Sequence, residues 1–272
     1  MQNWKLTLTY DGTEYHGWQV QPGLCTVQGE LQQALAQIVG ESPLPQGSGR
    51  TDAGVHALGQ VASLELACPI PADNLKRALN RILPASIRVL KAEVVEANFH
   101  ARHSARAKTY EYRIFCGAVC SPFLARYVHV CRWPLDLERM QKAAQQIVGE
   151  HDFRSFAASD PELRQREKDG NEATGKELGT VRSILTSEWQ EETGELLIYR
   201  VCGSGFLHHM VRNLVGTMLE IGRGQFAGDA MRKILLARSR AAAGPTAPAC
   251  GLFLQAVYYD ASARTKETEP AR

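Results

Sequence analysis

The order of periodicities along the chain constrains its fold more than any other feature. Trp4, Leu6, Leu8 and Tyr10 alternate with Lys5, Thr7 and Thr9, the period-two pattern of a strand with one buried face. After a loop containing Gly17, Pro22 and Gly23, the residues Val27, Leu31, Leu35 and Ile38 recur at helical spacing until Gly40, which predicts a helix over about 26–39. A strand-like stretch over 60–66 precedes a second helix, whose apolar positions Leu75, Leu79, Ile82 and Leu83 share a face and which Pro84 ends. Strands at about 87–95 and 107–115 then follow one another without a helix between them.

The second half is equally mixed. A helix enters at Trp133-Pro134-Leu135-Asp136 and runs to about 148, strands read at 180–189 and 196–202, helices at about 206–221 and 228–238, and a last strand at 252–259. Strands adjacent in sequence favour an antiparallel α+β architecture over a doubly wound parallel sheet. The expected organisation is an N-terminal α+β lobe over 1–115 and a C-terminal α+β lobe over 116–260, sharing one sheet. The aperiodic charged stretch at about 160–179 reads as a mobile loop, and 261–272 as a flexible tail.

Composition narrows the function classes. In 272 residues, 31 Lys and Arg face 29 Asp and Glu, a net charge of +2, and 44% of residues are hydrophobic. This excludes disorder throughout and a histone-like polycation, but not a nucleic-acid enzyme, because binding depends on where the charges lie. No apolar run approaches the roughly 18 residues that span a bilayer, so neither anchor nor signal peptide is expected. Seven scattered cysteines without a C-x-x-C pair point to reduced thiols and a cytoplasmic protein. Cys116, Cys120, Cys131 and His129 match no familiar zinc spacing, and His208-His209 lacks the H-E-x-x-H spacing, so no metal is expected.

Charge is unevenly distributed. Residues 76–113 hold nine Lys and Arg against three Glu, a net +6; residues 200–240 carry +5, and residues 1–60 carry −3. Two basic segments in a near-neutral chain suit a polyanion-binding groove, although solvated helix faces give the same runs. Tyr110 and Tyr112 are two apart in a strand with Lys108 and Arg106 nearby, a pattern that suits base stacking beside phosphate contacts and equally a pair of core tyrosines.

The most concentrated signal is Gly47-Ser48-Gly49-Arg50-Thr51-Asp52-Ala53-Gly54-Val55-His56. Closely spaced glycines let a backbone turn sharply or approach a ligand, and Arg50 and Asp52 bracket Thr51. It is neither G-x-G-x-x-G nor a P-loop, and Gly-Ser-Gly and Asp-Ala-Gly are also plain turn chemistry. On the 206–221 helix, Arg212 interrupts an otherwise apolar run, so it needs a carboxylate, for which Asp52 is a candidate, or strong hydrogen bonding, or a route to the surface.

Gly49-Arg50-Thr51-Asp52-Ala53-Gly54-Val55-His56-Ala57 resembles the signature of the TruA-type tRNA pseudouridine synthases. Further blocks stand in the same order: Tyr10-Asp11-Gly12, Gly17-Trp18-Gln19, Thr26-Val27-Gln28-Gly29, Asn98-Phe99-His100-Ala101-Arg102, Lys108-Thr109-Tyr110-Glu111-Tyr112, His151-Asp152-Phe153 and Gly205-Phe206-Leu207-His208-His209-Met210-Val211-Arg212. The resemblance implies two ferredoxin-like lobes with a mixed, mainly antiparallel sheet, helices packed on it and a catalytic cleft between lobes. It implies isomerisation of uridine to pseudouridine in the anticodon stem-loop of tRNA, at tRNA positions 38, 39 and 40, by a cytoplasmic homodimer without metal or organic cofactor. Carried over by position, Asp52 is the catalytic carboxylate, Arg212 pairs with it, and Tyr110, Arg50 and Leu254 bind substrate. Tyr110 would serve as a late proton acceptor only with a lowered pKa. The competing expectations are an inert RNA-binding protein of the same fold and a Cys/His metalloenzyme.

Overall fold

A computed structural model describes residues 1–158 and 179–260. The expected loop at 160–179, apart from Gly179, and the expected tail at 261–272 lie outside the described residues. The described residues form two compact units: 1–111, 122–128 and 249–260 in the first, 112–121, 129–158 and 179–248 in the second. These differ from a linear division at 115/116 because the last strand returns to the first unit, where it pairs with an early one.

The first unit is built on β1 (Gln2–Tyr10), with β3 (His56–Leu66) on one side and β4 (Ile87–Val95) on the other, both antiparallel. The alternation in β1 buries Trp4, Leu6, Leu8 and Tyr10 and leaves the intervening residues partly exposed. Trp4 lies opposite Leu64 and Val94, and Leu6 opposite Ala62 and Ala92. β10 (Leu252–Tyr258) joins β3 in parallel, Phe253 opposite His56 and Leu254 opposite Ala57, and β5 (Ala107–Phe115) follows β10 in the strand order. A two-residue strand, β2 (Gln46–Gly47), caps the far end of β3.

Two helices complete this unit. α1 (Val27–Val39) starts where the Thr26 side chain accepts from the Gly29 N–H and stops where Gly40 takes φ +70°, a value that favours glycine. α2 (Ala72–Ile82) lies against β4 and turns Leu75 and Leu79 inward. Ile82, expected on that buried face, is exposed, and Leu83 beyond the helix is buried instead.

In the second unit the order runs from residues 112–115 of β5 through β9 (Leu196–Gly203) and β8 (Val181–Thr193) to β7 (Gly149–Asp152), with β9/β8 and β8/β7 antiparallel. β6 (His129–Val130) pairs in parallel with Ile114 and Phe115 of β5. α3 (Leu137–Gln145), capped by Asp136, packs on β8 and on α4 (Met210–Gly222). α4 is buried almost all round, as its nearly continuous apolar sequence requires, and α5 (Ala230–Ala237) follows it. Antiparallel pairing predominates, two parallel pairs make the sheet mixed, and the helices pack on it, so the class is α+β as expected.

Candidate active site

The loop from Gly47 to His56 is held in the first unit by contacts from nearly every early sequence block. β2 brings Gly47 opposite Ala62, and the Ser48 N–H donates to the Val61 carbonyl at 2.7 Å. The Trp18 N–H donates to the Thr51 carbonyl at 3.0 Å, while Val27 and Gln28 at the start of α1 donate to the Gly17 and Trp18 carbonyls. Gly17 has φ +86°, and a Cβ there would stand 2.5 Å from the Thr51 oxygen, so the close approach of the two loops needs glycine. Asp52 then opens a tight turn. Its carbonyl accepts from Val55 N–H at 3.1 Å, and Gly54, at φ +76°, donates to the Tyr15 carbonyl.

Beneath the loop lies a buried polar network. The Gln60 side chain accepts from the Ser48 hydroxyl at 2.7 Å and from Val61 N–H at 3.1 Å, and its amide nitrogen donates to the Gly49 carbonyl at 3.0 Å. The Tyr10 and Thr51 hydroxyls are 2.9 Å apart. Burial pushes the Tyr10 hydroxyl up to about 12, against the opposing pull of its bonds to Thr51 and Gln60. Lys108 Nζ donates to the Ser48 carbonyl at 2.6 Å. Both ends of the Ser48 peptide region are therefore fixed, and the half-buried Asp52 is presented from a rigid support. Replacing Gln60 with Ala strips a partner from three buried polar groups, and we expect a loss of about 2–3 kcal/mol of stability in denaturant titration; a variant as stable as the wild type would show that the network does not hold the loop.

A second anchor lies behind the turn. The Gly12 N–H donates to His56 Nδ1 at 3.0 Å, which leaves Nε2–H to donate to the Arg126 carbonyl at 3.2 Å. The His56 ring stacks on Phe253 with centroids 4.7 Å apart. Asp11 is held below its ordinary carboxylate pKa: burial pushes it up, but bonds from the Thr13 hydroxyl and amide and the Tyr127 hydroxyl outweigh that push.

Of the residues expected to bind substrate, Tyr110 is buried on β5 and Leu254 is fully buried on β10, whereas Arg50 is exposed on the loop. Tyr110 and Asp52 are brought together. Burial first, then Tyr10 and then the Asp52 charge raise the Tyr110 hydroxyl far above its ordinary value. It is thus a neutral phenol, not the group of lowered pKa that a late proton acceptor requires. Tyr112 is a core residue whose hydroxyl donates to the Pro248 carbonyl, and Glu111 between the two tyrosines is buried as well, so this stretch presents no continuous aromatic face to solvent.

Arg212 belongs to the second unit. Its Nε donates to the Ala247 carbonyl at 2.8 Å, and the Ala247 N–H returns to the Arg212 carbonyl at 3.1 Å. Residues 244–248 press on α4: a Cβ on Gly216 would stand 1.8 Å from the Pro245 oxygen. The buried Asn213 side chain donates to the Phe156 carbonyl and accepts from Thr246 and Arg240, while Thr217 accepts from Gly244 N–H. The guanidinium stem is thereby fixed at the first turn of the helix. That helix begins at Met210 and not near 206, because His209 takes φ +59° and breaks the helical path before it.

Sequence reading missed Gln60, Thr51 and the tip of Tyr10 as parts of this site, and read Lys108 only as a basic neighbour of Tyr110. Gln60 shares the parity of the buried Ala62, Leu64 and Leu66, so a polar residue on an apolar strand face was the available signal.

The family model for tRNA pseudouridine synthase matches residues 7–104 and 143–260. A tRNA pseudouridine synthase A of Solibacter usitatus is 51% identical over 259 residues, covering 95% of this chain and all of the relative. Those of Lacticaseibacillus casei (43% over 260 residues, 95% of this chain, 100% of the relative) and Halalkalibacterium halodurans (45% over 249 residues, 91% and 89%) are similar over comparable lengths. The matched segments contain the loop around Asp52, the helix bearing Arg212 and the strand bearing Leu254, and on this evidence the chain belongs to the tRNA pseudouridine synthase family.

Proposed function

We propose that this protein isomerises uridine to pseudouridine in tRNA, with the Asp52 carboxylate as its catalytic group. The observation that carries the reading is the support built under one carboxylate: the Asp52 turn is tied to Tyr15, Trp18, Gln60 and Lys108, in a chain that belongs to a tRNA-modifying family. Pseudouridine formation breaks the N1–C1′ bond, turns the base and rejoins it through C5; the C5 proton leaves to solvent and the freed N1 takes one up, so composition is unchanged. An ionised carboxylate promotes this either by attacking C1′ or by assisting elimination to a glycal. The reaction balances without redox or an energy source.

The target base first leaves the stack, at a cost of a few kcal/mol that pocket contacts offset. Tyr110 and Leu254 are assigned to the base and Arg50 to the RNA beside it. Arg212 is assigned to the Asp52 carboxylate, which it keeps ionised and correctly directed. Arg212→Ala is accordingly expected to lower kcat by about 100-fold with little change in tRNA affinity; a variant with normal turnover at saturating tRNA would remove Arg212 from this role.

The substrate region is proposed to be the anticodon stem-loop, at tRNA positions 38, 39 and 40, held by shape and phosphate contacts more than by sequence. Mapping pseudouridine in tRNA from cells with and without this protein tests that assignment. Loss at those positions is expected, and unchanged modification there would overturn it. A cytoplasmic homodimer is part of the same family reading, and sedimentation equilibrium should then return twice the 30.0 kDa chain mass. Among the described residues, no helix is long and apolar enough to cross a membrane.

A further inference from the structure

We propose that Lys108 is a phosphate-binding residue, its ammonium receiving a backbone phosphate of the RNA bound beside the Asp52 loop. The inference rests on the tRNA-modifying reading above. Lys108 lies on β5, half-buried, with its Nζ 2.6 Å from the Ser48 carbonyl. That carbonyl is its one hydrogen-bond partner among the described residues, and no carboxylate there lies within ion-pair distance. An ammonium has three donors, so two remain for a ligand.

Burying a cation without a counter-ion is unfavourable, and the group shows it: burial, with the Arg102 charge acting in the same direction, brings its pKa down to about 8. A cation kept in such surroundings is matched by an anion that arrives with the ligand. Room for that anion is preserved by Gly49, because a Cβ there would stand 3.1 Å from Nζ. The site lies three residues from Asp52 along the loop, where a target nucleotide's own phosphates would come. Acting as a point charge, Lys108 would contribute affinity and register without reading sequence.

Binding should be measured by titrating unmodified tRNA transcript into full-length protein carrying Asp52→Asn, so that no turnover occurs, across a series of salt concentrations. Adding Lys108→Met is expected to weaken binding roughly 5- to 10-fold at 0.1 M salt and to reduce the slope of log affinity against log salt by about 0.7–0.9, the value of one lost phosphate contact. Lys108→Arg should keep the slope. An unchanged slope in Lys108→Met would overturn the assignment and leave Lys108 only as the prop under Ser48.

A second measurement needs no substitution at Lys108. At pH 8 a phosphate raises the pKa of Nζ, so binding should take up a fraction of a proton, read by calorimetry in two buffers of different ionisation heat. Tyr110 beside it, whose hydroxyl is raised far above its ordinary value, exchanges no protons near that pH. Uptake should vanish in Lys108→Arg; equal uptake in both proteins would also overturn the proposal. Failure of the isomerase reading would show separately, as wild-type protein that forms no pseudouridine whatever the salt slope.

Discussion

Asp52→Asn is expected to reduce pseudouridine formation by at least roughly 10,000-fold while leaving the affinity for tRNA within about twofold of wild type. The substitution keeps size and shape and removes only the ionised oxygen, so the turn closed by the Val55 N–H on the Asp52 carbonyl is retained. The network beneath the loop holds the residues just before it: Gln60 and Lys108 donate to the Gly49 and Ser48 carbonyls, and the Tyr10 hydroxyl meets that of Thr51. A fall in turnover without loss of binding or folding therefore isolates the chemistry of one group. The outcome separates this account from the inert RNA-binding alternative, for which binding and every other property should survive the change together.

Gly12→Ala should be among the most destabilising single methyl additions in the chain. A Cβ at Gly12 would stand 2.0 Å from the Val55 carbonyl oxygen and 2.6 Å from its carbon. Those atoms are backbone, in the turn that carries Asp52, so no side-chain rotation relieves the overlap. The displaced strand end would also take the Gly12 N–H away from His56 Nδ1. We expect a loss of about 3 kcal/mol or more, a fall in Tm of roughly 6–12 °C, and reduced turnover in the fraction that stays folded. Gly228→Ala is the matched control, since nothing lies within 4 Å of its added Cβ and its φ is ordinary. If Gly12→Ala melted with that control, the packing of the Tyr10-Asp11-Gly12 block on the Asp52 turn would be wrongly described.

Much of the architecture was legible because regular periodicity and hard stops coincide. The strands at 87–95 and 107–115 stand at the positions the sequence marks, and α1 lies between its Thr26 cap and Gly40. Three short strands, at 46–47, 129–130 and 149–152, were invisible, since two to four residues are too few to show a period. The start of α4 was placed too early because Phe206 and Leu207 continue the apolar pattern, while the left-handed His209 that ends the preceding turn is not a glycine.

The candidate site divides in the same way. Asp52 and its flanking glycines stand out because turn chemistry is written locally in sequence. The groups that hold them do not, because Tyr10 and Thr51 are 41 residues apart and Lys108 and Ser48 are 60 apart. Only the folded chain pairs such groups, and with them comes the physical reason for blocks that read in sequence only as a resemblance: Tyr10-Asp11-Gly12 and Gly17-Trp18 close on one loop, and Val27-Gln28 holds Gly17-Trp18 in place. The structure also changed one expectation, since a buried Tyr110 with a raised pKa is a neutral phenol and not a base.

The most direct measurement is release of tritium to water from tRNA transcript labelled at C5 of uridine, on incubation with the purified full-length protein. Release on forming the new C5–C1′ bond is predicted for the wild type, up to the content of the target positions, and none above background for Asp52→Asn. Wild-type protein that binds the transcript and releases no tritium, or an Asp52→Asn protein that releases it at the wild-type rate, would contradict the account.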